Sequence, residues 1–307
     1  MLGLVTAEVA AALDPDLLPL AVALRGRLGD NEVRIVSWDD SALDWSAFDA
    51  VIIRSTWDYT DRLDEFLAWV DRAAAVTTLV NDADVVRWSS DKRYLADLAR
   101  EGIRITPTIF VAPGDPAPQV RGVHVVKPTV GAGSSGARRC DPHEVADHVA
   151  VLHAEGRTAM VQPYLDLLDD RGETCHCFVL DADGVTLELS HAFRKGAILM
   201  TTDVELEGDL FATEDISPRV PSAAELKLAT DALSTDVVRN LGDVFFARVD
   251  VAPFQDESGR ETFIVMELEL IEPSFYYATN EAAVALFADR LVGWLRARGL
   301  DSRIAGS

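Results

Sequence analysis

Val125-Val126-Lys127-Pro128-Thr129-Val130-Gly131-Ala132-Gly133-Ser134-Ser135-Gly136 reads as a strand that ends in lysine and runs into a loop rich in glycine and serine. Such a loop turns backbone N–H groups toward phosphate oxygens, and the lysine adds a point charge. Gly131, Gly133 and Gly136 spell G-x-G-x-x-G, but a dinucleotide fold needs a helix straight after the third glycine, and Ala137-Arg138-Arg139-Cys140 follows instead. The loop lacks the Gly-Lys-Ser/Thr ending of a Walker A motif, and the H-R-D and D-F-G signatures of protein kinases are absent. An ordinary hairpin loop shares this composition, so the meaning of the stretch depends on what faces it.

A second chemical element lies near the C-terminus. Val244-Phe245-Phe246-Ala247-Arg248-Val249-Asp250-Val251 and Phe263-Ile264-Val265-Met266-Glu267-Leu268-Glu269-Leu270 are apolar strands around the turn signal Asp256-Glu257-Ser258-Gly259. Strand side chains alternate, so Arg248 and Asp250 share one face, and Glu267 and Glu269 share one face of the partner. Charges inside apolar strands cost free energy unless they are paired or bound to a cation, and Mg²⁺ accepts one or two carboxylates plus phosphate oxygens. The alternative is a cross-strand ion pair, with Arg248 opposite Glu267 for a turn centred near residue 257. That pairing leaves Asp250 and Glu269 without a reason.

Working outward, residues 2 to 80 alternate β-rich runs (Leu2 to Val5, Val33 to Val36, Ala50 to Ile53, Thr78 to Val80) with helical patterns at Leu17 to Leu28 and Leu63 to Ala75. This order reads as βαβ units on a parallel sheet, with Asp14-Pro15-Asp16 starting the first helix and Gly29 stopping it. Ser89-Ser90-Asp91 opens a further helix that ends at Gly102. Strands then dominate at Thr108 to Val111, Val123 to Lys127, Ala159 to Tyr164, Thr174 to Leu180, Val185 to Phe193 and in the C-terminal hairpin. Helices intervene at Pro142 to Ala154, Ala223 to Leu241 and Glu281 to Arg298. The expected fold class is therefore α/β plus α+β: a parallel lobe followed by two lobes, each with an antiparallel sheet.

The composition narrows the function. With 51 acidic and 28 basic residues in 307, the net charge of −23 repels nucleic acid and anionic membranes, so neither is an expected partner. The N-terminus lacks a cationic signal-peptide start, no apolar run approaches a membrane span, and three cysteines suit a reducing compartment, so a cytoplasmic location is expected. Cys175-His176-Cys177 sits in a strand that turns His176 away from both cysteines, which argues against zinc. Arg54-Ser55-Thr56-Trp57 follows a parallel strand at its carboxyl end, where α/β sheets place ligands, and Arg54 is a candidate clasp for a substrate carboxylate. The competing role for Arg54 is an ion pair with Asp58 or Asp61. His191 shows no catalytic partner and reads as a satisfied strand histidine.

Taken together, the lysine loop and the acidic hairpin resemble the ATP-grasp ligases, in particular the glutathione-synthetase-like branch, from about Trp88 to Leu300. Ser89-Ser90-Asp91-Lys92 resembles the family's opening lysine helix, Val126-Lys127-Pro128 its second nucleotide lysine, and residues 131 to 136 its phosphate-covering loop. Val161-Gln162-Pro163-Tyr164 resembles the hinge that receives adenine. The resemblance implies three domains: 1–88 on the acceptor side, 89–165 as central and lid region, and 166–307 with the metal site. It implies ATP and Mg²⁺, with Lys92, Lys127, Gly131, Gly133, Ser134, Ser135, Gly136, Gln162, Tyr164 and Glu173 around the nucleotide. Asp250, Glu267 and Glu269 take the metal positions, and Arg248 a phosphate contact. Relatives commonly carry asparagine where Glu269 stands, and often an arginine where Cys175 stands, so Arg194 or Lys195 becomes the candidate for that contact.

The phrases Arg54-Ser55-Thr56-Trp57-Asp58-Tyr59, Trp88-Ser89-Ser90-Asp91-Lys92, Ser190-His191-Ala192-Phe193-Arg194-Lys195 and Glu269-Leu270-Ile271-Glu272-Pro273-Ser274 are similar to cyclo-ligases that close O-ureidoserine into cycloserine. The implied reaction activates a carboxylate of a small amino-acid-like substrate as an acyl phosphate, which a nitrogen captures. Glu272, Ser274 and Tyr276 are then expected beside the acyl phosphate, and relatives imply a homodimer. An ATP-dependent dipeptide ligase and a non-catalytic ATP-binding module are the competing readings.

Overall fold

Four short apolar runs form the parallel sheet that the spacing predicts: β1 (Leu2–Thr6), β2 (Val33–Ser37), β3 (Ala50–Ser55) and β4 (Thr78–Val80), in the order β2-β1-β3-β4. The structure is a computed structural model that describes residues 1–199, 206–207, 211–212, 214–256 and 258–300. Helix α1 (Leu17–Leu28) buries Leu17, Leu20 and Leu24 in one core with Leu4 and Ile52. Helix α2 (Leu63–Ala74) buries Phe66, Trp69 and Val70 with Val5 and Ile53 in another. Neighbouring strand residues thus enter different cores, as expected of a parallel sheet covered on both faces.

Ser89-Ser90-Asp91 does not simply open a helix. Ser89 ends a short helix, α3 (Ala83–Ser89), and the Asp91 carboxylate accepts the Arg93 N–H at 2.9 Å ahead of α4 (Tyr94–Arg100). The second sheet comprises β5 (Ile109–Val111), β6 (His124–Pro128), β7 (Arg138–Cys140) and β8 (Ala159–Pro163), antiparallel in the order β5-β8-β6-β7. Helix α5 (Val145–Ala154) supplies Val145, Val149 and Leu152 to its core.

After α6 (Leu167–Arg171) come β9 (Glu173–Leu180), β10 (Leu187–Lys195), the ribbon strands β11 (Leu206–Glu207) and β12 (Phe211–Ala212), and β13 (Ile216–Pro218). Helices α7 (Ala223–Leu233) and α8 (Asp236–Arg239), strands β14 (Phe246–Gln255) and β15 (Glu261–Glu269), and helix α9 (Glu281–Ala297) complete the order. The third sheet runs β13-β10-β9-β14-β15, antiparallel throughout. The helix expected over Ala223 to Leu241 is two helices, because Thr235 takes extended backbone (φ −62°, ψ 151°) and its hydroxyl donates to the Ala232 carbonyl at 2.9 Å. A Ser222–Glu225 capping box, in which each side chain satisfies the other residue's backbone N–H, fixes the start of α7.

The hairpin register also differs from expectation. Arg248 opposes Glu269 and Asp250 opposes Glu267, because the pairing shifts between Asp250 and Val251. The expected Arg248–Glu267 pairing is replaced, yet both charged pairs keep their faces. Glu257 of the connecting turn lies outside the described residues.

Two features tie the parallel sheet to the third one. Helix α9 inserts Phe287, Leu291 and Leu295 into the core shared by α1, Phe245 and Phe246. Asn81, in left-handed backbone (φ 72°), donates its amide to the Phe246 and Leu270 carbonyls at 2.9 and 2.7 Å and accepts the Phe245 N–H at 2.6 Å. That stitch fixes both ends of the acidic hairpin against the end of β4.

Candidate functional site

The lysine loop and the acidic hairpin meet. The Lys92 backbone N–H donates to the Thr129 carbonyl at 2.8 Å, and its ammonium reaches both the Gly131 carbonyl (2.5 Å) and Glu267 (2.9 Å). Beside this clamp lies a cavity of about 420 Å³ whose wall includes Lys92, Lys127, Gly131, Gly133, Ser134, Ser135, Lys195, Arg248, Glu267 and Glu269. Glu272, Ser274 and Tyr276 continue the wall past β15, and Trp57, Tyr59, Leu13 and Pro15 close it from the parallel lobe. Gly133 (φ 57°) and Ser134 (φ 65°) are both left-handed, which bends the loop over the cavity. Gly136 stands behind the wall at φ 71°, where an added Cβ would meet the Pro128 ring at 3.3 Å.

The charges are unevenly matched. Arg248 donates through Nε and Nη2 to the two Asp250 oxygens, both at 2.8 Å, and through Nη2 to Glu269 at 2.5 Å. Its Nη1 holds the Ser274 carbonyl at 3.0 Å. Lys195 pairs with Glu173 at 2.7 Å and lies 3.5 Å from Asp250. Lys127 makes no ion pair among the described residues, and burial lowers its pKa, with Glu267 opposing. Ligand oxygens of Asp250, Glu267 and Glu269 lie within 4.8 Å of one another. Burial pushes Glu269 up to about 8, opposed by Arg248 and reinforced by Glu267 and Asp250. Three carboxylates whose oxygens come this close, on one side of a cavity, are a donor set of the kind that a divalent cation takes.

Other predicted site residues stand away from this wall. Gln162 is buried and donates to the Thr108 hydroxyl at 2.8 Å. Tyr164 bonds Asp169 through its hydroxyl and lies under the Arg139 guanidinium, 3.9 Å from its ring centre. Glu173 faces Lys195, and Arg194 pairs with Asp215 at 2.7 Å and donates to the Arg171 carbonyl. Arg54 does not pair with Asp58, whose carboxylate serves Arg62 and Trp38. It is 1% exposed, its guanidinium carbon lies 5.7 Å from the Phe275 ring centre, and its nitrogens have no hydrogen-bond partner among the described residues. Ser55 bonds Thr6, Thr56 is buried, and of that tetrad Trp57 reaches the wall.

His191 is satisfied as expected, with Nε2 2.6 Å from the Phe275 carbonyl. Cys175 and Cys177 enter the apolar core, while His176 points the other way to the Val249 carbonyl at 3.1 Å. The three therefore do not converge. Cys175 does sit with Glu173 and Asp250, but the Lys195 ammonium already serves both carboxylates there.

Sequence reasoning missed Tyr59, Glu214 and the Leu13–Pro15 wall, which come from remote segments with no periodic signal. It also missed the importance of Asp16, which reads as a mere helix start. Its carboxylate accepts the backbone N–H groups of Phe275, Tyr276 and Tyr277 at 2.7, 2.7 and 2.9 Å. These bonds hold Tyr276 in left-handed backbone (φ 47°), a strained conformation, with its hydroxyl on Glu214. Asp16→Ala is expected to lower stability by about 3 kcal/mol, because three backbone N–H groups, two of them in buried bonds, lose a charged acceptor. Urea unfolding measures this, and a loss under about 1 kcal/mol contradicts it.

Comparison with known proteins identifies the family. Residues 2–81 match the family model described as the N-terminal domain of D-cycloserine synthetase DcsG. The cycloserine biosynthesis protein DcsG of Streptomyces lavendulae is 37% identical over 96% of this chain and 99% of its own length. A crystal structure of D-cycloserine synthetase DcsG superposes with a TM-score of 0.82 at 35% identity, covering 96% of this chain and 99% of that one. The D-alanine–D-alanine ligase of Bacillus anthracis, solved with ATP, has a TM-score of 0.60 at 16% identity over 97% and 98% of the two chains. At that identity the likeness is one of fold. The near-complete coverage at 37% identity, on an ATP-grasp fold, means that this chain belongs to the cycloserine-synthetase family of ATP-grasp ligases, enzymes that form C–N bonds at the expense of ATP.

Proposed function

We propose that this enzyme closes O-ureidoserine into cycloserine, using ATP to activate the substrate carboxylate and a nitrogen of the same molecule to capture it. The carrying observation is that one cavity wall holds Lys127, which has no ion pair among the described residues, and the glycine loop together with Glu267 and Glu269. That combination suits a triphosphate with a divalent cation. In this reading Lys92, Lys127 and the N–H groups of residues 131 to 135 hold the phosphates, and Asp250, Glu267 and Glu269 would hold Mg²⁺. Bound there, the metal would neutralise charge that develops during phosphoryl transfer.

Arg248 and Lys195 stabilise the same charge from the chain itself, with Arg248 fixed by Asp250 and Ser274. Glu272 and Ser274 line the substrate end, and Trp57 closes it from the parallel lobe. Gln162, Tyr164 and Glu173 remain our candidates for the adenosine side, Arg194 for supporting Lys195, and Arg54, Ser55 and Thr56 for the layer behind Trp57. Domain borders near residues 88 and 165 let the lysine loop move against the acidic hairpin and exclude water from the acyl phosphate. The carbamoyl group must leave the ring nitrogen by hydrolysis, since cycloserine lacks it. Three buried free thiols fit a cytoplasmic enzyme, and no described helix is long and apolar enough to cross a membrane. Assembly as a homodimer is testable by light scattering.

The test is an assay of ADP release with O-ureidoserine as sole organic substrate, products identified by mass. Cycloserine formed without a second amino acid supports the proposal, and ADP release that requires a second amino acid replaces it with a dipeptide ligase. Lys127→Ala is expected to weaken ATP binding about 10- to 100-fold, the worth of one charge-assisted contact. An unchanged affinity in a calorimetric titration removes Lys127 from the site.

A further inference from the structure

Four glutamates line the cavity, and three have a cation. Glu267 pairs with Lys92 at 2.9 Å, Glu269 with Arg248 at 2.5 Å, and Glu214 lies 3.9 Å from Lys195 with the Tyr276 hydroxyl on its other oxygen. Glu272 has no ion pair among the described residues. It sits three positions past Glu269 and two before Ser274, whose carbonyl Arg248 holds, so its backbone is anchored on both sides. The neighbouring group from the parallel lobe is the Tyr59 hydroxyl, which burial and Glu272 keep well above its ordinary pKa and therefore neutral. A cavity carboxylate with no cation in ion-pair contact among the described residues, beside a neutral hydroxyl, is free to accept a proton.

We propose that Glu272 is the general base of ring closure, taking the proton from the substrate nitrogen as that nitrogen attacks the acyl phosphate. This rests on the ligase function proposed above. The nitrogen lone pair forms the new C–N bond, and the acyl C–O bond breaks so that phosphate leaves with its electron pair. The N–H electrons return to nitrogen, and the proton passes to a Glu272 oxygen. A nitrogen that acylates without losing its proton would carry positive charge into a cavity already lined by Lys92, Lys127, Lys195 and Arg248. Burial pushes the Glu272 carboxyl up to about 7, with Lys92, Tyr59 and Arg248 opposing and Glu267 adding, a range in which a carboxylate serves as a base near neutrality.

The two halves of the reaction separate the role. Hydroxylamine captures acyl phosphates as hydroxamates without help from a base, so activation can be measured apart from ring closure. In Glu272→Gln, single-turnover ADP formation with O-ureidoserine is expected within about threefold of wild type and hydroxamate at or above the wild-type yield, while ring closure falls about 10²- to 10⁴-fold, the usual contribution of a general base. Glu272→Asp should recover part of the loss, with the KM for substrate unchanged. Ring closure within threefold of wild type overturns the proposal. So does a parallel fall in hydroxamate trapping, or a rise in KM with kcat kept, which would make Glu272 an anchor for the substrate's ammonium group. A wild-type enzyme that forms no ADP with O-ureidoserine overturns the function proposed above and takes this proposal with it.

Discussion

Asp250→Asn is expected to destabilise the protein by about 3 to 5 kcal/mol and to reduce turnover at least about a thousandfold, roughly 4 kcal/mol of transition-state stabilisation. Asp250 is 1% exposed, bonds both Arg248 donors, and lies 3.5 Å from Lys195. Removing its charge leaves Arg248 with Glu269 and Lys195 with Glu173 as their remaining carboxylates, and a neutral amide where the shared anion stood. Turnover falls as well because Arg248 loses the partner that aims it at the cavity, and the three-carboxylate cluster loses one member. Burial alone would raise the Asp250 pKa, but Arg248 first and Lys195 next pull it well below the ordinary 3.8. A depressed pKa means that the native state favours the carboxylate, so its contribution is present above the unfolded value and disappears as pH falls through the folded one. Urea unfolding should therefore show the full gap between wild type and variant at pH 7, and a narrowing gap as pH falls below about 4. A gap that is absent at pH 7 contradicts the argument.

Gly172→Ala should cost about 3 to 5 kcal/mol through backbone strain and overlap alone. Gly172 stands between α6 and β9 at φ 64°, and an added Cβ would lie 2.4 Å from the Lys195 carbonyl oxygen. That oxygen belongs to a strand, in register with Glu173, and cannot swing aside as a flexible side chain would. The strand must move and carry Lys195 away from Glu173 and Asp250, so activity should fall with stability. Gly26 supplies the contrast: it lies inside α1 with nothing within 4 Å of an added Cβ. Gly26→Ala is expected to stabilise by about 0.5 to 1 kcal/mol. Similar thermal shifts for the two variants would remove the steric argument.

The layer order was legible because the apolar runs are short, β-rich and punctuated. Asp14-Pro15 and Gly29 bracket α1, and period-two alternation in β14 and β15 put Arg248, Asp250, Glu267 and Glu269 on the faces where they stand. What escaped the sequence depended on distant partners. The Arg248 register follows from a one-residue shift in a strand that also pairs with β9, and no turn residue encodes it. Strand β7 is Arg138-Arg139-Cys140, too short and too charged to read as a strand, and it exists by pairing with β6. The apolar pattern of α7 continues through Ser234-Thr235, so the break between α7 and α8 left no periodic trace. Within the site, the side chains carried on strands were readable, whereas Glu214 and the three-fold acceptor Asp16 bond partners 62 to 261 positions away, a separation that no local pattern reports.

The central claim is that the lysine loop and the acidic hairpin grip one triphosphate between them. A crystal structure of the enzyme with Mg²⁺ and a non-hydrolysable ATP analogue tests it most directly. The account predicts phosphate oxygens within hydrogen-bond reach of Lys92, Lys127 and the backbone of residues 131 to 135, and metal within bonding distance of Asp250, Glu267 or Glu269. Nucleotide density in another cavity, or a metal that none of these carboxylates touches, would contradict it.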